Sequence, residues 1–405
     1  VGVVPQGGNT SNCGGATPDD SGGQLVLSLR RLNRIRSIDA ENFSMVAEAG
    51  CVLAHVQHAA AAAERFFPLS LGSEGSCQIG GNLATNAGGV NVVRYGMTRD
   101  LVLGVEAVLP DGRIYAGLKS LRKDNTGYDL RSLFIGSEGT LGLITAASLK
   151  LWPRQRTGAT AFAAIPTVAA AVQLLGMLRA AAADRLSSFE LLPRIAVDLT
   201  TRHIPNVTDP FDKRYDWYIL CELTSAADEP LDEILQETLG AAIERSVVLD
   251  AALASSERQR QAFWRLREHI PEAQRLAGPS LKHDISVPVA ALPGFVAEAS
   301  AAVAVQAPDG VLVCYGHAGD GNLHFNISHI DDANNAGFLA RESLIRRTVH
   351  DLVASYQGSI SAEHGIGRLK REELQRYGSP VGLDCMRAIK RALDPNGIMN
   401  PGKLL

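Results

Sequence analysis

The stretch Tyr315-Gly-His-Ala-Gly-Asp-Gly-Asn-Leu-His-Phe-Asn326 decides the fold of the second half of the chain. The apolar residues 311–314 before it predict a buried strand, and residues 323–327 alternate like a returning strand. The glycines between these two strands predict a tight turn. His317 and His324 would face opposite ways on one continuous strand, but this turn can fold the second imidazole back beside the first.

A second stretch, Ser361-Ala-Glu-His-Gly-Ile-Gly367, adds a carboxylate at Glu363 and a third imidazole at His364. Two imidazoles and one carboxylate, from His317, His324 and Glu363, suit a divalent transition metal in a catalytic site with an open position. A lone histidine is more often a hydrogen-bonded structural residue. These three histidines, however, lie in two glycine-punctuated segments that packing alone does not require. The sequence therefore favours a metal site with His364 beside it.

Together the two stretches resemble the signature of the C-terminal domain of FAD-linked oxidases. They are most similar to the D-2-hydroxyglutarate and D-lactate dehydrogenase branch of the vanillyl-alcohol-oxidase-type flavoproteins. This resemblance implies an α+β fold, with a PCMH-type FAD-binding domain and an α+β substrate (cap) domain built on an antiparallel sheet. It also implies that His317, His324 and Glu363 hold a divalent metal such as zinc, and that His364 is the catalytic base.

Size and composition set broader limits. A chain of 405 residues should form two domains, or one with a large insertion. Its net charge of −4 gives no sign of nucleic-acid binding or of a basic membrane patch. Six scattered cysteines without a Cys-x-x-Cys pair indicate reduced thiols in the cytoplasm, or in an organelle matrix if a targeting segment precedes Val1. We find no apolar run of membrane-spanning length, and we expect an N-terminal portion to precede the opening strand.

Three glycine-rich loops lie in the first half of the chain. They are residues 5–11, residues 72–89 and residues 134–145. Their glycines let backbone N–H groups approach an anion, and Ser, Thr and Asn side chains beside them add donors. One such loop would be an ordinary turn, and none has the Gly-x-Gly-x-x-Gly pattern of a Rossmann fold. Three in one half favour a large cofactor that carries phosphate.

The loops resemble the FAD-binding domain of the same flavoprotein family, in the same order. The resemblance implies FAD-binding roles for Pro5, Gly7, Gly8, Asn9, Thr10, Ser11, Gly80, Gly81, Asn82, Thr85, Gly88, Gly139 and Ile144. It further places Asn400, in the turn-rich C-terminal segment, near the isoalloxazine ring. The first loop contains no histidine, and Cys13 lies beyond its core. We therefore expect FAD to be bound without a covalent link.

The sequence changes character after Trp152-Pro153, where longer amphipathic helices begin. We therefore predict an FAD-binding domain over 1–152, a substrate and metal-binding domain over 153–380, and a C-terminal segment over 381–405 that returns to the first domain. Helices are predicted over about 168–182, from Pro230 onward, and as one long helix from Phe338 to Tyr356. Residues 215–224 alternate like a half-exposed antiparallel strand.

Two polar stretches in the second half would be read as solvated faces from composition alone. By resemblance, Arg267 and Lys282 match positions that bind the second carboxylate of the substrate in D-2-hydroxyglutarate enzymes, and Asn326 matches a substrate contact near the metal. A guanidinium and an ammonium group suit a carboxylate. The chain departs from that pattern at Pro271, where the family has a threonine, so one carboxylate contact is lost.

The resemblance implies oxidation of a D-2-hydroxy acid by hydride transfer to FAD, with D-2-hydroxyglutarate as the first candidate and D-lactate as the second. Electron-transfer flavoprotein or a quinone is the expected electron acceptor, and a homodimer is a candidate assembly. Two other classes remain open from the residues themselves. One is a hydrolase in which the metal activates water, and the other is a flavin-binding module without catalysis.

Overall fold

The structure is a computed structural model that describes residues 1–330 and 335–405. The chain divides into two compact units. The first contains Val1–Asn91, Tyr95–Arg154 and Glu363–Leu405, and the second contains Val92–Arg94 and Gln155–Ala362. The sequence-based division differs from these units at three points. It placed the first boundary at residue 152 rather than 154, it kept residues 92–94 with the first domain, and it kept residues 363–380 with the second domain.

Up to residue 154 the described strands are β1 (Gly2–Gln6), β2 (Gln24–Ser28), β3 (Ile35–Asp39), β4 (Ser44–Glu48), β5 (Arg65–Phe66), β6 (Val102–Val108), β7 (Ile114–Gly117), β8 (Leu143–Lys150) and β9 (Trp152–Pro153). The helices in this part are α1 (Leu53–Ala62), α2 (Ile79–Thr85), α3 (Val92–Tyr95) and α4 (Leu130–Phe134).

The first unit is built on an antiparallel five-stranded sheet in the order β3-β4-β8-β6-β7. Its core includes Val105, Leu149 and Leu53. A tight turn joins β6 and β7, where the N–H of Gly112 donates to the carbonyl of Leu109 at 2.9 Å. Strand β1 pairs in parallel with β2 and forms a separate two-stranded sheet.

From residue 155 to residue 362 the described strands are β10 (Thr157–Ile165), β11 (Leu186–Pro193), β12 (Trp217–Ser225), β13 (Asp250–Leu253), β14 (Ser280–Leu281), β15 (Asp284–Ser286), β16 (Val311–Tyr315) and β17 (Asn322–Ser328). The helices in this part are α5 (Val168–Ala182), α6 (Arg194–His203), α7 (Leu231–Glu244), α8 (Glu257–Glu268), α9 (Ile270–Ala277), α10 (Leu292–Gln306), α11 (Ala336–Leu339) and α12 (Glu342–Ser355).

The second unit contains two antiparallel sheets, as the α+β cap domain predicts. One has the order β11-β12-β10-β13, and in the other β17 pairs with β14, β15 and β16. The sheets meet where Leu191 of β11 pairs with Gly316, with N–H to carbonyl distances of 2.8 and 3.0 Å. The prediction of a half-exposed strand at 215–224 is wrong. β12 is buried on both faces because it lies between two strands and under packed helices.

Helix α5 begins as predicted, with the Thr167 hydroxyl accepting from the N–H of Ala170. Helix α7 follows Pro230 as predicted, but Ile243 is 45% exposed because it lies outside the buried stripe. The single long helix predicted from Phe338 is wrong. The chain forms α11 and α12 with a break between them, and Phe338 stacks on His329 at 5.1 Å.

One apolar segment also differs from expectation. The 18 residues Val289–Gln306 are long and apolar enough to cross a membrane by length and composition. The core helix of a soluble protein passes the same test, and α10 buries one stripe of side chains within the second unit. Its Phe295 ring contacts the rings of Phe325 and Tyr356 at 5.7 and 5.8 Å. These contacts hold the buried stripe of α10 in the second unit, and 28% of the 18-residue window is buried.

The chain ends in α13 (Arg371–Tyr377), α14 (Pro380–Leu393) and a tail that joins the first unit. The N–H of Val3 donates to the carbonyl of Ile398 at 2.7 Å, and the N–H of Asn400 donates to the carbonyl of Val3 at 2.7 Å. The tail therefore runs alongside β1, which leads into the first glycine loop.

Candidate active site

The turn between β16 and β17 has the geometry that the sequence predicts. Gly321 has φ +87°, and a Cβ on it would lie 2.1 Å from the carbonyl oxygen of Val287, so only glycine fits. The turn brings His317 and His324 together, with ring centroids 5.8 Å apart. His324 also packs against the ring of Tyr315 at 5.0 Å. The two imidazoles therefore lie side by side in the second unit.

The turn is held by three consecutive residues of β11. The carbonyl of Phe189 accepts from the N–H of Gly319 at 3.2 Å, and Leu191 pairs with Gly316. Between them, the Glu190 carboxylate reaches the imidazole Nδ1 of His317 at 2.5 Å. The buried strand thus fixes both the backbone of the turn and the ring that it carries.

Glu190 is fully buried and also accepts a hydrogen bond from Arg267 Nε at 2.6 Å. Burial alone would raise the pKa of this carboxyl. The positive charge of Arg267, the nearby imidazole of His317 and the hydrogen bonds from both more than offset that effect and lower the pKa to about 2. Arg267 is itself buried, and its guanidinium carbon lies 4.9 Å from the centroid of the Tyr315 ring. Glu190 is therefore ionised at neutral pH.

His317 and His324, in the second unit, offer two imidazole nitrogens, and Glu363, the first residue of the last segment of the first unit, offers a carboxylate oxygen. Glu363 directly follows Ala362, whose N–H donates to the carbonyl of Asp284 at 3.3 Å. Two nitrogens and one carboxylate oxygen suit a divalent ion such as zinc.

The residues predicted to bind FAD lie in the first unit. Residues 7–11 form the loop after β1, and α2 carries the second set except Gly88, which follows the helix. Gly139 lies next to Pro5, and Ile144 is buried in β8. A Cβ on Gly8 would lie 2.3 Å from the carbonyl oxygen of Ser76, so the first loop packs directly on the second. The structure therefore brings together loops that the sequence places far apart.

Buried polar atoms without a hydrogen-bond partner among the described residues occur at these loops. They include Asn82 Nδ2, Gln78 Oε1 and Asn400 Oδ1. Such atoms cost free energy unless a ligand or water completes them. Gln78 lies beside Gly7, and the amide nitrogen of Asn400 donates to the carbonyls of Gly15 and Glu138 at 2.9 and 2.7 Å. The donor and acceptor pattern fits a polar cofactor such as FAD.

The segment that carries His364 is attached to the same loops of the first unit. The carbonyl of His364 accepts from the Ser11 hydroxyl at 3.1 Å and from the Cys13 thiol at 3.0 Å. The Glu138 carboxylate accepts from the N–H groups of Ile366 and Gly367 at 2.7 and 2.6 Å. The predicted base is therefore positioned by its backbone, through residues of the first and third glycine loops.

The predicted substrate residues lie in different surroundings. Lys282 is exposed and falls between the short strands β14 and β15. Asn326 is buried, and its amide accepts from the N–H of His283 at 3.2 Å and donates to Gln274 at 3.1 Å. Arg267, by contrast, is connected to His317 through Glu190.

Sequence reasoning missed Glu190, Glu138 and Gln78. A glutamate in the middle of the apolar strand β11 is itself a signal, since a buried charge needs a partner. Glu138 and Gln78 stand inside or beside glycine loops that were recognised, but only their neighbours were selected. All six cysteines are free thiols, as the sequence predicts.

The fold and the loops define the chain as an FAD-dependent oxidoreductase, and comparisons with known proteins confirm that class. The sequence profile described as "FAD linked oxidases, C-terminal domain" matches residues 154–404, and an "FAD binding domain" profile matches residues 1–116. The chain belongs to the family of FAD-linked oxidases.

Individual relatives are similar over the whole chain. The mitochondrial D-2-hydroxyglutarate dehydrogenase of Arabidopsis thaliana is 40% identical over 404 residues, which cover 100% of this chain and 70% of the relative. The mitochondrial protein of the same name from Bos taurus is also 40% identical, with 72% of the relative covered. The D-2-hydroxyglutarate dehydrogenase of Xanthomonas citri pv. viticola is 37% identical, with 84% covered.

Solved structures confirm the fold at lower sequence identity. Alkyldihydroxyacetonephosphate synthase matches with a TM-score of 0.73 at 17% identity, over 99% of this chain and 72% of that one. p-Cresol methylhydroxylase matches with a TM-score of 0.72 at 16% identity, over 94% of this chain and 80% of that one. The predicted fold class is therefore confirmed.

Proposed function

We propose that this chain oxidises D-2-hydroxyglutarate to 2-oxoglutarate with FAD as the electron acceptor and a divalent metal as a second cofactor. The observation that carries the proposal is the similarity, over all of this chain, to plant, animal and bacterial proteins named D-2-hydroxyglutarate dehydrogenase. Reduced flavin would then pass its electrons to an electron-transfer flavoprotein or a quinone. The mitochondrial and bacterial relatives support a location in an organelle matrix or in the cytoplasm.

The residues of the chain divide the chemistry between them. FAD, when bound, supplies the hydride acceptor that no amino-acid side chain provides. A divalent metal, when bound to His317, His324 and Glu363, supplies a Lewis acid for the 2-hydroxyl and its neighbouring carboxylate. His364 takes the hydroxyl proton, a role that suits imidazole because its charge changes near neutral pH.

Arg267 and Lys282 would bind the distal carboxylate of the substrate. Arg267 has five N–H donors in a rigid fork, and Glu190 accepts the one on Nε. The guanidinium group is the positive charge that we propose for the distal carboxylate. Lys282 adds a second positive charge from an exposed position, where a side chain with a flexible stem can follow the substrate.

Anaerobic reduction of the bound flavin tests the proposal. D-2-hydroxyglutarate should bleach the visible absorption of the purified protein, whereas the L-enantiomer should not. Removal of divalent metal with a chelator should slow the bleaching, and added zinc should restore it. A protein that purifies with flavin but is not bleached by any 2-hydroxy acid would contradict the proposal. A colourless protein with hydrolase activity would favour the metal-dependent hydrolase instead.

D-lactate is the competing substrate because of one observation. Pro271 opens α9 at the position where the resemblance places a threonine that contacts the distal carboxylate, and proline has no hydroxyl to donate. Side-by-side bleaching by D-lactate and D-2-hydroxyglutarate at equal concentrations decides between them. Faster reduction of the flavin by D-lactate would make this monocarboxylate the preferred substrate.

A further inference from the structure

Glu190 divides its two carboxylate oxygens between two different partners. Oε1 lies 2.5 Å from Nδ1 of His317, and Oε2 lies 2.6 Å from Nε of Arg267. An ionised carboxylate only accepts hydrogen bonds, so the short contact to His317 requires a proton on Nδ1. In the neutral ring the lone pair is then on Nε2.

We propose that Glu190 is the positioning residue of the metal ligand His317. It fixes the ring in the tautomer that offers Nε2 to a metal and joins this ligand to Arg267 through one carboxylate. The inference rests on the proposed metal-dependent function, and it adds a residue to which the sequence motifs do not point. Carboxylates in this position behind a metal-bound histidine orient the ring and increase its basicity.

The backbone around Glu190 makes the arrangement rigid. Phe189 and Leu191, on either side of it, hydrogen-bond to Gly319 and Gly316, which flank His317 in the turn. The distance from the strand to the ring is therefore set by two backbone contacts and one side-chain contact. If another side chain replaced Glu190, a shift of the turn alone could not restore the contact with His317, because the two backbone contacts hold the turn in place.

The link to Arg267 extends the effect to substrate binding. The guanidinium group is buried, its central carbon lies 4.9 Å from the centroid of the Tyr315 ring, and the centroid of that ring lies 5.0 Å from that of His324. Removing the negative charge of Glu190 would leave Arg267 buried without its carboxylate partner. The same substitution should therefore weaken metal binding and raise the KM for a dicarboxylate substrate. A residue with a purely structural role would not produce these two effects together.

Glu222 offers a matched control in the same sheet. It lies on β12, next to β11, and its carboxylate accepts from Thr160 at 2.8 Å, Trp264 at 2.8 Å and Arg260 at 3.1 Å. Like Glu190 it is buried and paired with an arginine, but none of these three donors is an imidazole. Glu222→Gln therefore reports the cost of losing a buried carboxylate from this sheet without disturbing His317.

The first experiment measures zinc affinity of the FAD-loaded protein by competition with a chromophoric chelator. Glu190→Gln should bind zinc about 10–100-fold more weakly than the unsubstituted protein. Glu222→Gln should bind zinc with unchanged affinity, and Glu190→Gln alone should show a raised KM for D-2-hydroxyglutarate. Equal zinc affinity in the unsubstituted protein and Glu190→Gln would overturn the inference while leaving the proposed function intact. An unsubstituted protein that takes up no zinc, cobalt or manganese would overturn both.

The second experiment does not depend on the folding of a variant. Nitrogen NMR of histidine-labelled, metal-free protein identifies the tautomer of His317, with His317→Asn used to assign its signals. The inference requires a proton on Nδ1 and none on Nε2 in the neutral ring. A ring protonated on Nε2 would overturn it, even if Glu190→Gln were too unstable to purify.

Discussion

At the scale of single residues, the structure differs most from the sequence-based expectation at charged side chains in apolar surroundings. Glu190 is fully buried in a strand of eight buried residues, and its partners lie 77 and 127 positions away in the sequence. Lys282 is the opposite case, a charged residue that is exposed and was selected by resemblance. The proposed division of labour between them can be tested with substrates that differ in one carboxylate.

Lys282→Ala should raise the KM for D-2-hydroxyglutarate much more than the KM for D-lactate. A charge-assisted hydrogen bond contributes about 1.5–3 kcal/mol, which corresponds to roughly a 10–150-fold loss in kcat/KM. D-lactate has no distal carboxylate and should be affected little. Steady-state kinetics with both substrates measures the difference.

Lys213→Ala is the control for this substitution, because Lys213 is another exposed lysine of the second unit that no motif selects. It should leave both KM values unchanged. Equal losses for the two substrates in Lys282→Ala would contradict the dicarboxylate assignment.

The sequence was sufficient to find the histidines and Glu363 because they stand in short motifs whose glycines mark a turn. It was insufficient for Glu190, since the contact with His317 arises only when β11 pairs with the turn at Gly316. Spacing within one segment can be read locally. A pairing between segments more than a hundred residues apart depends on the complete sheet.

Individual elements show the same division. The helix over 168–182 and the two strands around the glycine turn, β16 and β17, follow from local pattern, and all three are confirmed. The break between α11 and α12 and the burial of both faces of β12 do not follow from local pattern, because both depend on neighbouring elements. The segment of residues 363–367 is the element with the clearest functional consequence, since it carries Glu363 and His364.

Glu138→Gln should loosen this segment. Its carboxylate accepts from two successive N–H groups, those of Ile366 and Gly367, whereas an amide has only one oxygen to accept with. Burial raises the pKa of Glu138, and the two N–H donors offset this effect in part. Loss of one buried acceptor costs about 1–3 kcal/mol, so hydrogen exchange at residues 366 and 367 should accelerate roughly 5–150-fold. Turnover should fall because the backbone of His364 is less well held.

Hydrogen exchange followed by mass spectrometry measures the local effect, and kcat measures its consequence. Glu48→Gln is the control, since Glu48 is equally buried in the first unit but accepts from Arg34 and Arg36 instead. It should leave exchange at residues 366 and 367 unchanged. Unaltered exchange in Glu138→Gln would show that the carboxylate does not hold the segment.

At the scale of the whole molecule, the first unit is assembled from three separate parts of the chain. Its last part, residues 363–405, carries α13, α14 and the tail beside β1. Helix periodicity predicts the helices of such a segment but not the unit to which they attach. That attachment depends on contacts such as the one between Lys390 Nζ and the carbonyl of Thr140, at 2.7 Å.

Asp394 connects the tail to α14 and should make the first unit sensitive to acid. Its carboxylate accepts from the N–H groups of Ile398 at 3.0 Å and Met399 at 2.8 Å, and from Lys390 Nζ. Burial raises the pKa of Asp394, but these hydrogen bonds and the charge of Lys390 have the larger, opposite effect, so the pKa is lowered. A carboxyl with a lowered pKa stabilises the folded state above its unfolded pKa of about 3.9, and this contribution is lost as the pH falls through the folded value.

Asp394→Asn should therefore lower the free energy of unfolding by about 1–3 kcal/mol at neutral pH, and the difference from the unsubstituted protein should shrink below about pH 4. Urea unfolding of the FAD-loaded protein, followed by flavin release at a series of pH values, measures this dependence. Asp384→Asn is the control, because Asp384 lies on α14, the helix that Asp394 follows, but is exposed. If Asp394→Asn shifts the unfolding midpoint by the same amount at every pH, the carboxylate does not contribute through its ionisation.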